Sequence, residues 1–488
     1  MTTSASSSTV APVTAASARL PLRSQQVTGP SHVAEFLVYG LDGADDGAAG
    51  VWRDEIGGDD VSLSMSVYRR APADASDASA RPVIFFFNGG PGASSTPLHL
   101  NGFGPMLHVS SDGATHVFAD NPDTLLDVAD LVFIDPVGTG FNSLPDDHAP
   151  GAQWLGVDGD AQAAASAIRA WLQRDGDGRR RVLLCGQSYG AFRVGTILPY
   201  LDGVALAGVV LISPMLDASA RTPAAGNDLP YIATLPTMAV AARHHRKTVA
   251  HADDAHDAMT FYAAVSRFAR TDYAAALQWG NQLGQVDPLL SARVAAELAR
   301  LLGIPQDEIE RQALRIDADA FMNTLLADCA RRIGSLDTRE TGSLAPATDK
   351  PTNDPSLVVG RTPGRTEDYF RRFLGVDTGR LYVGLSFDVN RRWRWMSAAA
   401  PSFYTSVADR IGAFLRARPD ARLVAACGIY DMSTPALATR YALEHVPVAP
   451  ERMQILDFPA GHTIYDNTDN RAALADAIRG MVRSFEPQ

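Results

Sequence analysis

The sequence predicts an α/β protein whose mainly parallel central sheet, with helices on both faces, is interrupted by a mostly helical insertion. Two observations lead to this expectation. Apolar runs alternate with helix-compatible segments up to about residue 218, which favours a doubly wound sheet. Strand-like runs then become rare between residues 219 and 377, and the strand pattern resumes afterwards. Because the pattern resumes, we expect a cap inserted into one core rather than a separate domain in series.

The predicted organisation has four parts. Residues 1–30 are rich in Ser, Thr and Ala and lack the basic segment and apolar core of a signal peptide, so they predict a disordered leader. Residues 31–218 and 378–488 are expected to form the first and second parts of the α/β core. Residues 219–377 are expected to form the helical cap.

Short apolar or alternating runs bounded by Gly, Pro and Asp predict the strands. Two of them, residues 33–39 and 61–68, are typical of a leading antiparallel pair. The other strands are predicted at residues 82–87, 131–134, 182–185, 208–212, 422–426 and 453–458. Helical periodicity predicts helices at residues 158–174, 288–302, 307–333 and 474–485. Residues 335–365 are polar, with Pro and Gly, and predict a long loop.

The composition argues against several functional classes. The formal net charge of −12 disfavours binding to nucleic acid or to an anionic membrane, since both need a basic excess. No run of 18 apolar residues is present, so no membrane span is predicted. The cysteines Cys185, Cys329 and Cys427 have no close spacing and make neither a disulfide framework nor a zinc site. We expect a soluble cytoplasmic protein without metal or cofactor, while its oligomeric state stays open.

The segment around Ser188 combines a strand, a sharp turn and a helix. The apolar run at residues 182–185 leads into the sequence GQSYG, residues 186–190, and a helix-compatible segment follows. In this context G-x-S-x-G is typical of a nucleophile elbow, in which glycines let the backbone bend tightly and the serine hydroxyl stands clear of the sheet. The motif alone also occurs by chance, so other residues must support it.

Two further strands end in an acid and a histidine. The run at residues 422–426 is followed by GIYD, which ends in Asp431, and the run at 453–458 by PAGH, which ends in His462. Imidazole can take the proton of a serine hydroxyl, and a carboxylate fixes its tautomer. Taken singly, Asp431 could be a turn former or cap, and His462 a surface or core residue. In the chain order Ser188, Asp431, His462 they predict a catalytic triad.

The glycine-rich loop after the strand at residues 82–87 supplies a candidate oxyanion hole. One donor would be the backbone N–H of Tyr189, the residue after the nucleophile, and the other would come from the loop NGGPG. Gly89 and Gly90 carry no side chain that would keep a carbonyl oxygen away from their N–H groups. A plain tight turn would have the same composition, and it is compatible with this role.

These motifs resemble the serine carboxypeptidases, peptidase family S10. The similarity lies in FFFNGGPGASS, FIDPVGTGFN, GQSYG, GIYD and AGH, which together span Phe85 to His462. The resemblance implies the α/β-hydrolase fold with a helical cap, and it implies the same triad. It assigns the oxyanion N–H groups to Gly90 and Tyr189. It also implies that Asn88 and the Gly89 backbone help to bind the C-terminal carboxylate of a substrate.

The departures from the family pattern bear on that carboxylate site. Gln187 stands where the family usually has a Glu, Phe86 where it has a Trp, and Gly102 where it commonly has a second Glu. Asn88 and Gln187 are then neutral donors that can still hold a carboxylate at neutral pH. Without the acid pair we expect activity that persists at pH 7–8. Ala93 replaces the family's cysteine, in agreement with a cytoplasmic location.

We therefore expect a serine hydrolase that acts through an acyl-enzyme and removes C-terminal residues from peptides. The alternative is an acyltransferase or a tailoring esterase or amidase, which would use the same triad on a small acyl substrate. A third hypothesis is a non-catalytic binding protein. The presence of all three residues, Ser188, Asp431 and His462, disfavours it. Residues 387–390 and 393–395, where the insertion rejoins the sheet, could line the site or pack at its rim.

Overall fold

The computed structural model describes residues 20–21, 27–28, 32–41, 50–56, 61–70, 81–110, 116–146, 152–175, 180–248, 257–345, 352–357, 365–396 and 406–485, to which the structural statements below refer. Most of the predicted leader lies outside these ranges, as do residues 71–80, whose Asp-, Ser- and Ala-rich sequence predicts a polar loop. None of the helices within them is long and apolar enough to cross a membrane.

The strands of the described chain are Leu20–Pro21 (β1), Val27–Thr28 (β2), His32–Leu41 (β3), Gly50–Arg53 (β4), Glu55–Ile56 (β5), Ser62–Arg70 (β6), Val83–Phe87 (β7), Met106–Ser110 (β8), His116–Asp120 (β9), Asp130–Asp135 (β10), Val182–Gln187 (β11), Leu206–Ile212 (β12), Arg331–Ile333 (β13), Thr341–Ser343 (β14), Arg422–Gly428 (β15) and Met453–Phe458 (β16). Ten of these strands form one large sheet, in the order β16-β15-β12-β11-β7-β10-β6-β3-β2, with β4 paired to β3.

The sheet is parallel over the part that carries the predicted site. The pairs from β16 through β15, β12, β11 and β7 to β10 are all parallel. Beyond β10 the pairing with β6, β3 and β2 is antiparallel. The prediction of a mainly parallel sheet with a leading antiparallel pair is therefore confirmed, and the carboxyl ends of six neighbouring strands meet at one edge.

The α-helices of the described chain are Val157–Asp175 (α1), Tyr189–Ile197 (α2), Leu229–His244 (α3), Ala258–Phe268 (α4), Ala274–Gln278 (α5), Leu283–Val286 (α6), Pro288–Leu302 (α7), Gln306–Arg311 (α8), Ala318–Thr324 (α9), Arg365–Phe373 (α10), Phe387–Arg392 (α11), Ala408–Ala417 (α12), Ala436–Glu444 (α13) and Thr468–Arg483 (α14). Shorter 3₁₀ and π turns occur at Pro97–Phe103, Leu125–Asp127, Ala152–Trp154, Leu198–Leu201, Ala218–Arg221, Ala269–Tyr273, Gly280–Gln282, Ala327–Cys329, Pro450–Arg452 and Ile464–Asp466.

Both faces of the sheet are buried, as the alternation along β7 shows. Phe85 and Phe87 lie in one apolar cluster with α1 and α2, while Ile84 and Phe86 lie in another with α14. Successive side chains of a strand point to opposite faces, so a fully apolar strand requires cover on both sides. Cys185 lies in the second of these clusters and Cys427 in a separate buried cluster with Val240 and Tyr262, and burial raises the pKa of both thiols.

The segment between β12 and β15 is mostly helical, and α3 to α9 share their own apolar cluster. The predicted limits of the cap, residues 219 and 377, stay predictions. The helix predicted over residues 307–333 is wrong: α8 and α9 are separated by a turn in which Ala313 and Leu314 have positive φ. The turn buries Leu314 and Ile316 against the cap, and β13 pairs with β14 instead of continuing a helix. Local periodicity could not anticipate these long-range contacts.

Candidate active site

The nucleophile elbow is formed by the turn between β11 and α2. Ser188 has a φ of 59°, in the left-handed region that side chains rarely adopt. A side chain on Gly186 would meet the carbonyl of Gly190, and one on Gly190 would meet the carbonyl of Phe87. Both glycines of the motif are therefore required by close backbone approach, and the turn holds Ser188 in a strained, prominent position.

A buried ion pair supports the elbow from behind. Arg193 of α2 binds Asp160 of α1 through Nε at 2.6 Å, and its Nη1 donates to the carbonyl of Asn88 at 2.6 Å. Both side chains are buried, so the contacts of Nε and Nη1 replace solvent for the pair, while Nη2 has no hydrogen-bond partner within the described chain. The arginine thus fixes the start of the oxyanion loop relative to the nucleophile helix.

The predicted acid and histidine are in direct contact. Nδ1 of His462 lies 2.6 Å from Oδ2 of Asp431, whose side chain is 0% exposed. The other oxygen, Oδ1, accepts the backbone N–H groups of Ser433 and Thr434, and the Thr434 hydroxyl donates to Oδ2 at 2.5 Å. Asp431 therefore caps the following turn and also orients the imidazole. The two roles that the sequence left as alternatives, cap and partner of the histidine, are compatible. With Nδ1 on the carboxylate, Nε2 is the ring nitrogen left for the nucleophile.

The cap contributes a backbone clasp that holds the acid and histidine loops together. The carbonyl of Ser335 accepts the N–H groups of Met432 and Ser433, each at 2.9 Å. The next carbonyl, that of Leu336, accepts the N–H of His462 at 2.7 Å. Because neighbouring carbonyls of one segment bind both loops, the position of Asp431 relative to His462 depends on the cap being docked.

The backbone carbonyl of His462 is tied to the strands that flank it. It accepts Nε2 of Gln187 at 3.0 Å and the hydroxyl of Ser213 at 2.8 Å. Gln187 directly precedes the nucleophile, so this bond couples the histidine loop to the elbow. Within the described chain the Ser188 hydroxyl has no hydrogen-bond partner, so the structure brings Asp431 and His462 into contact but does not show a bond from His462 to Ser188. Such bonds are often long before a substrate binds, and the triad stays a prediction.

The two predicted oxyanion donors are open. Gly90 is exposed, and within the described residues neither its N–H nor that of Tyr189 donates to the protein. The loop runs directly against the elbow, because a side chain on Gly89 would lie 2.6 Å from the Tyr189 nitrogen. The Tyr189 N–H also starts α2, so the helix dipole favours negative charge there. The arrangement suits a developing oxyanion beside Ser188.

The residues predicted to bind a carboxylate form a closed amide cluster. Oε1 of Gln187 accepts Nδ2 of Asn88 and the hydroxyl of Tyr465, each at 2.6 Å, and Gln187 is 2% exposed. Oδ1 of Asn88 accepts the N–H of Leu98 at 3.2 Å. The amide of Gln187 is thus directed at protein groups, and its carboxylate-binding role, with that of Asn88 and Gly89, stays a prediction. Burial raises the pKa of Tyr465, which keeps this cluster neutral.

A buried carboxyl group anchors the oxyanion loop from its other end. Oδ1 of Asp135 accepts the N–H of Ser95 at 2.8 Å and its hydroxyl at 2.6 Å, and Oδ2 accepts the hydroxyl of Tyr382 at 2.7 Å. Burial raises the pKa of Asp135, against the lowering effect of these hydrogen bonds. Leu385 forms a β-bridge with Ala93 of the same loop. The chain that leaves the cap therefore lies alongside the glycine-rich loop.

Trp393 and Trp395, which follow this β-bridge in the chain, differ in their exposure. Trp393 is 8% exposed and packs edge to face on Tyr189, in agreement with rim packing. Trp395 packs on the same ring at 5.5 Å but is 42% exposed. Sequence reasoning left lining and packing open for both, and the structure separates them: one is core, and the other presents an aromatic face beside the elbow.

Several supporting residues were missed from the sequence. The hydroxyl groups of Ser213, Thr434 and Tyr465 contact the acid, the histidine or Gln187, yet nothing local distinguishes them from other hydroxyl-bearing residues. Ser213 offers one signal, since it directly follows a buried strand of the parallel sheet. The clasp at Ser335 and Leu336 involves only backbone carbonyls, which leave no signature in side-chain chemistry.

Comparison with known proteins bears on the fold and on the family that residues 68–222 resemble. The sequence model of the family described as serine carboxypeptidase matches residues 68–222, and no curated protein matches the chain. The fold resembles Kex1(delta)p, a prohormone-processing carboxypeptidase from Saccharomyces cerevisiae, with a TM-score of 0.52, 13% identity and coverage of 95% of this chain and 93% of that chain. The peroxisomal alpha-beta-hydrolase Lpx1 of the same yeast gives a TM-score of 0.43, 11% identity and coverage of 94% and 92%. The protein has the α/β-hydrolase fold and resembles the serine carboxypeptidases.

Proposed function

We propose that this protein is a serine-type carboxypeptidase that acts through an acyl-enzyme on Ser188. The observations that support the proposal are the Asp431–His462 pair, the bond from the His462 carbonyl to Gln187 directly before Ser188, and the N–H groups of Gly90 and Tyr189, which have no protein partner within the described chain. The family match over residues 68–222 covers both the elbow and the oxyanion loop, and it supports a peptide as the substrate.

Acylation follows from the roles that the geometry permits. Oγ of Ser188 attacks the scissile carbonyl carbon while Nε2 of His462 takes the hydroxyl proton, and Asp431 stabilises the imidazolium that forms. The carbonyl oxygen becomes an oxyanion that accepts the N–H groups of Gly90 and Tyr189. His462 then gives its proton to the leaving amine, the C–N bond breaks, and the acyl group remains as an ester on Ser188.

Deacylation repeats these steps with water as the nucleophile. His462 takes a proton from water, whose oxygen attacks the ester carbon, and the same two N–H groups stabilise the second oxyanion. Ser188 then leaves with the proton from His462, and the shortened peptide departs. The proton moves only between Ser188, His462, the leaving amine and the attacking water, while Asp431 and the two backbone N–H groups stabilise charge.

A second candidate function is hydrolysis or transfer of a small acyl group, and one observation favours it. The amides of Asn88 and Gln187, which would bind a substrate carboxylate, are paired with each other and with protein groups. An esterase or acyltransferase needs the triad and the oxyanion hole but no carboxylate site. The two candidate functions therefore differ in whether they need a carboxylate-binding site, and they share the triad and the oxyanion hole.

Covalent labelling of Ser188 tests the catalytic proposal. A fluorophosphonate should label the wild-type protein and leave Ser188→Ala unlabelled, because the reagent reacts only with a serine activated by its histidine. Ser219→Ala serves as the matched control, since its hydroxyl only donates to Asp217, and it should label normally. A wild-type protein that resists the reagent would contradict catalysis by this triad.

Substrate trials separate the two candidates. Mass spectrometry would follow N-blocked dipeptides, simple esters, and esters with added amine or alcohol acceptors. Loss of the C-terminal residue from the dipeptide supports the carboxypeptidase. Turnover of esters and acceptors without any trimming of peptides would refute it in favour of the alternative.

A further inference from the structure

Thr434, three residues after Asp431, has a buried hydroxyl that lies between three polar atoms. Its Oγ1 is 2.5 Å from Oδ2 of Asp431, 2.9 Å from the carbonyl oxygen of Ser213 and 3.3 Å from Nδ1 of His462. Thr434 is 3% exposed, so bulk water does not compete for these contacts. The hydroxyl therefore lies where the loops that follow β12, β15 and β16 meet.

The single proton of the Thr434 hydroxyl can be assigned from its partners. A carboxylate oxygen only accepts, so Nδ1 of His462 carries the proton of its 2.6 Å contact with Oδ2 of Asp431 and cannot accept one from Thr434. Of the two remaining acceptors, Oδ2 is the nearer, and 2.5 Å is typical of a hydroxyl that donates to a carboxylate. Thr434 therefore donates to the same carboxylate oxygen that accepts from the imidazole.

Ser213 supports this arrangement from the side of β12. Its N–H donates to the carbonyl of Ala426 at 2.7 Å, and its hydroxyl donates to the carbonyl of His462 at 2.8 Å. Its φ of 42° lies in the left-handed region, which a serine keeps only where the surrounding structure over-determines it. The carbonyl of Ser213 is therefore fixed as a second acceptor that holds Thr434 beside the carboxylate.

We infer that Thr434 is a positioning residue that acts on His462 through Asp431, an inference that rests on the proposed serine-hydrolase mechanism. Two N–H groups on Oδ1 and the hydroxyl on Oδ2 hold the carboxylate of Asp431 in one orientation. The donated proton also draws charge from Oδ2, and an oxygen with less charge stabilises an imidazolium less strongly. Thr434 thus leaves the imidazole neutral, and able to take the proton of Ser188, at a lower pH than Asp431 alone would.

Other charged and titratable groups are packed around the acid and the histidine. Asp337 of the cap lies against Gly461, where an added side chain would be 2.6 Å from its Oδ2, and it is paired with Arg339. Arg221 feels the charge of Asp431. Arginines keep their protons at every pH used below, and aspartates ordinarily titrate well below imidazole. Burial raises the pKa of the neighbouring phenols and thiol, which are Tyr430, Tyr465 and Cys427.

Two further imidazoles, those of His244 and His245, stand at the end of α3. The ring of His244 packs on Tyr430, and Nε2 of His245 lies 2.8 Å from the carbonyl oxygen of Thr338, so neither is bonded to Thr434. A substitution of Thr434 leaves both of these contacts in place. A change in pH dependence that the substitution causes can therefore be assigned to His462.

The rate of fluorophosphonate labelling as a function of pH tests this inference without a substrate. In the wild type the rate should fall at acidic pH as His462 becomes protonated. Thr434→Val keeps the shape and removes the hydroxyl, so we expect the acidic limb to move up by about 0.5 to 1 pH unit and the plateau rate to fall about 3- to 10-fold. Thr434→Ser keeps the donor and should restore the wild-type limb. Thr439→Val is the matched control, because its buried hydroxyl contacts the carbonyl of Pro214 at 3.4 Å and not the acid or the histidine.

The opposing outcomes are distinct. An acidic limb that stays in place in Thr434→Val would overturn the inference, because a merely structural defect lowers the rate equally at every pH. A limb that moves as far in Thr434→Ser would also overturn it, since the hydroxyl is retained. Circular dichroism verifies folding, and Thr434→Ala should give the same shift if the valine variant does not fold. Labelling without any trimming of peptides refutes the carboxypeptidase alone, whereas a wild type that is unlabelled at every pH refutes the triad and this inference with it.

Discussion

The candidate site has a rear, formed by the groups that hold His462, and a front, formed by the groups that would face a substrate. The two differ in how their polar groups are paired. At the rear, the polar side chains that hold the imidazole of His462 are all paired: Asp431 accepts from two N–H groups, a hydroxyl and the ring, and Gln187 uses both ends of its amide. At the front, within the described chain, the Ser188 hydroxyl and the N–H groups of Gly90 and Tyr189 have no protein partner.

This contrast separates what fixes the geometry from what meets a ligand. A fully paired buried network is rigid, because each group that moves would leave another unsatisfied in a medium of low dielectric constant. Open donors at the mouth of such a network are oriented in advance and cost no reorganisation when charge develops on a substrate. Changes at the rear should therefore act through the position and protonation of His462, and changes at the front through contact with the substrate.

Asp431→Asn is the substitution with the largest expected effect, and it tests whether Asp431 sets the protonation of His462. The asparagine amide would turn an N–H towards Nδ1 of His462, so the ring proton would move to Nε2, which could then no longer accept the proton of Ser188. We expect kcat to fall by about 10⁴-fold. Steady-state kinetics on an ester or peptide substrate would measure it, with circular dichroism to confirm the fold. Asp420→Asn, an exposed residue before β15, is the control, and a loss below tenfold in Asp431→Asn would contradict the assignment of the acid.

Gly90→Ala tests the front. Gly90 has a φ of 97°, and an added side chain would lie 2.7 Å from the nitrogen of Gly92, so the loop must shift and one oxyanion donor is displaced. We expect kcat to fall by about 10²- to 10³-fold with a smaller change in KM. Gly203→Ala is a closely matched control, because it has a φ of 79° but nothing within 4 Å of the added carbon. Equal losses in the two variants would show that backbone strain, and not the donor, accounts for the effect.

The sequence was most informative where chemistry and backbone geometry coincide. Ser188, Asp431 and His462 could be predicted because each follows a strand of the sheet, and parallel strands bring their carboxyl ends together. The glycines of the elbow could be predicted because only they tolerate the close approach of Gly186 to Gly190. These motifs can be recognised in the local sequence without knowledge of how distant parts of the chain pack.

What could not be predicted depends on contacts between distant parts of the chain. The clasp of Ser335 on the acid loop uses a backbone carbonyl from the segment at residues 335–365, for which the sequence predicts only a polar loop. The helix predicted over residues 307–333 was wrong because burial of Leu314 outweighed a helical periodicity. Gln187 is the clearest example of what residue type alone does not determine. Its amide is a possible donor to a substrate, but in the structure its Nε2 donates to the carbonyl of His462.

Gln187→Glu sharpens the contrast through pH. In the wild type an uncharged amide donates to the carbonyl of His462, and since an amide does not titrate in this range we expect activity to persist at pH 7–8. In the variant a carboxyl group occupies a buried site facing a carbonyl oxygen, and burial raises its pKa above the ordinary value. The protonated form can still donate to His462, so activity should be retained at acidic pH and fall as pH rises through that raised pKa.

The expected loss for Gln187→Glu at pH 8 is roughly tenfold in kcat, the scale of one buried hydrogen bond replaced by repulsion. The pH profile of kcat measures it against the wild type and against Gln282→Glu, an exposed control that should follow the wild-type profile. A new alkaline limb in Gln187→Glu alone shows that residue 187 acts through the histidine, because a merely structural defect would lower activity equally at every pH. An unchanged kcat profile accompanied by a raised KM for free-acid peptides would instead place Gln187 at the front, as a group that touches the substrate.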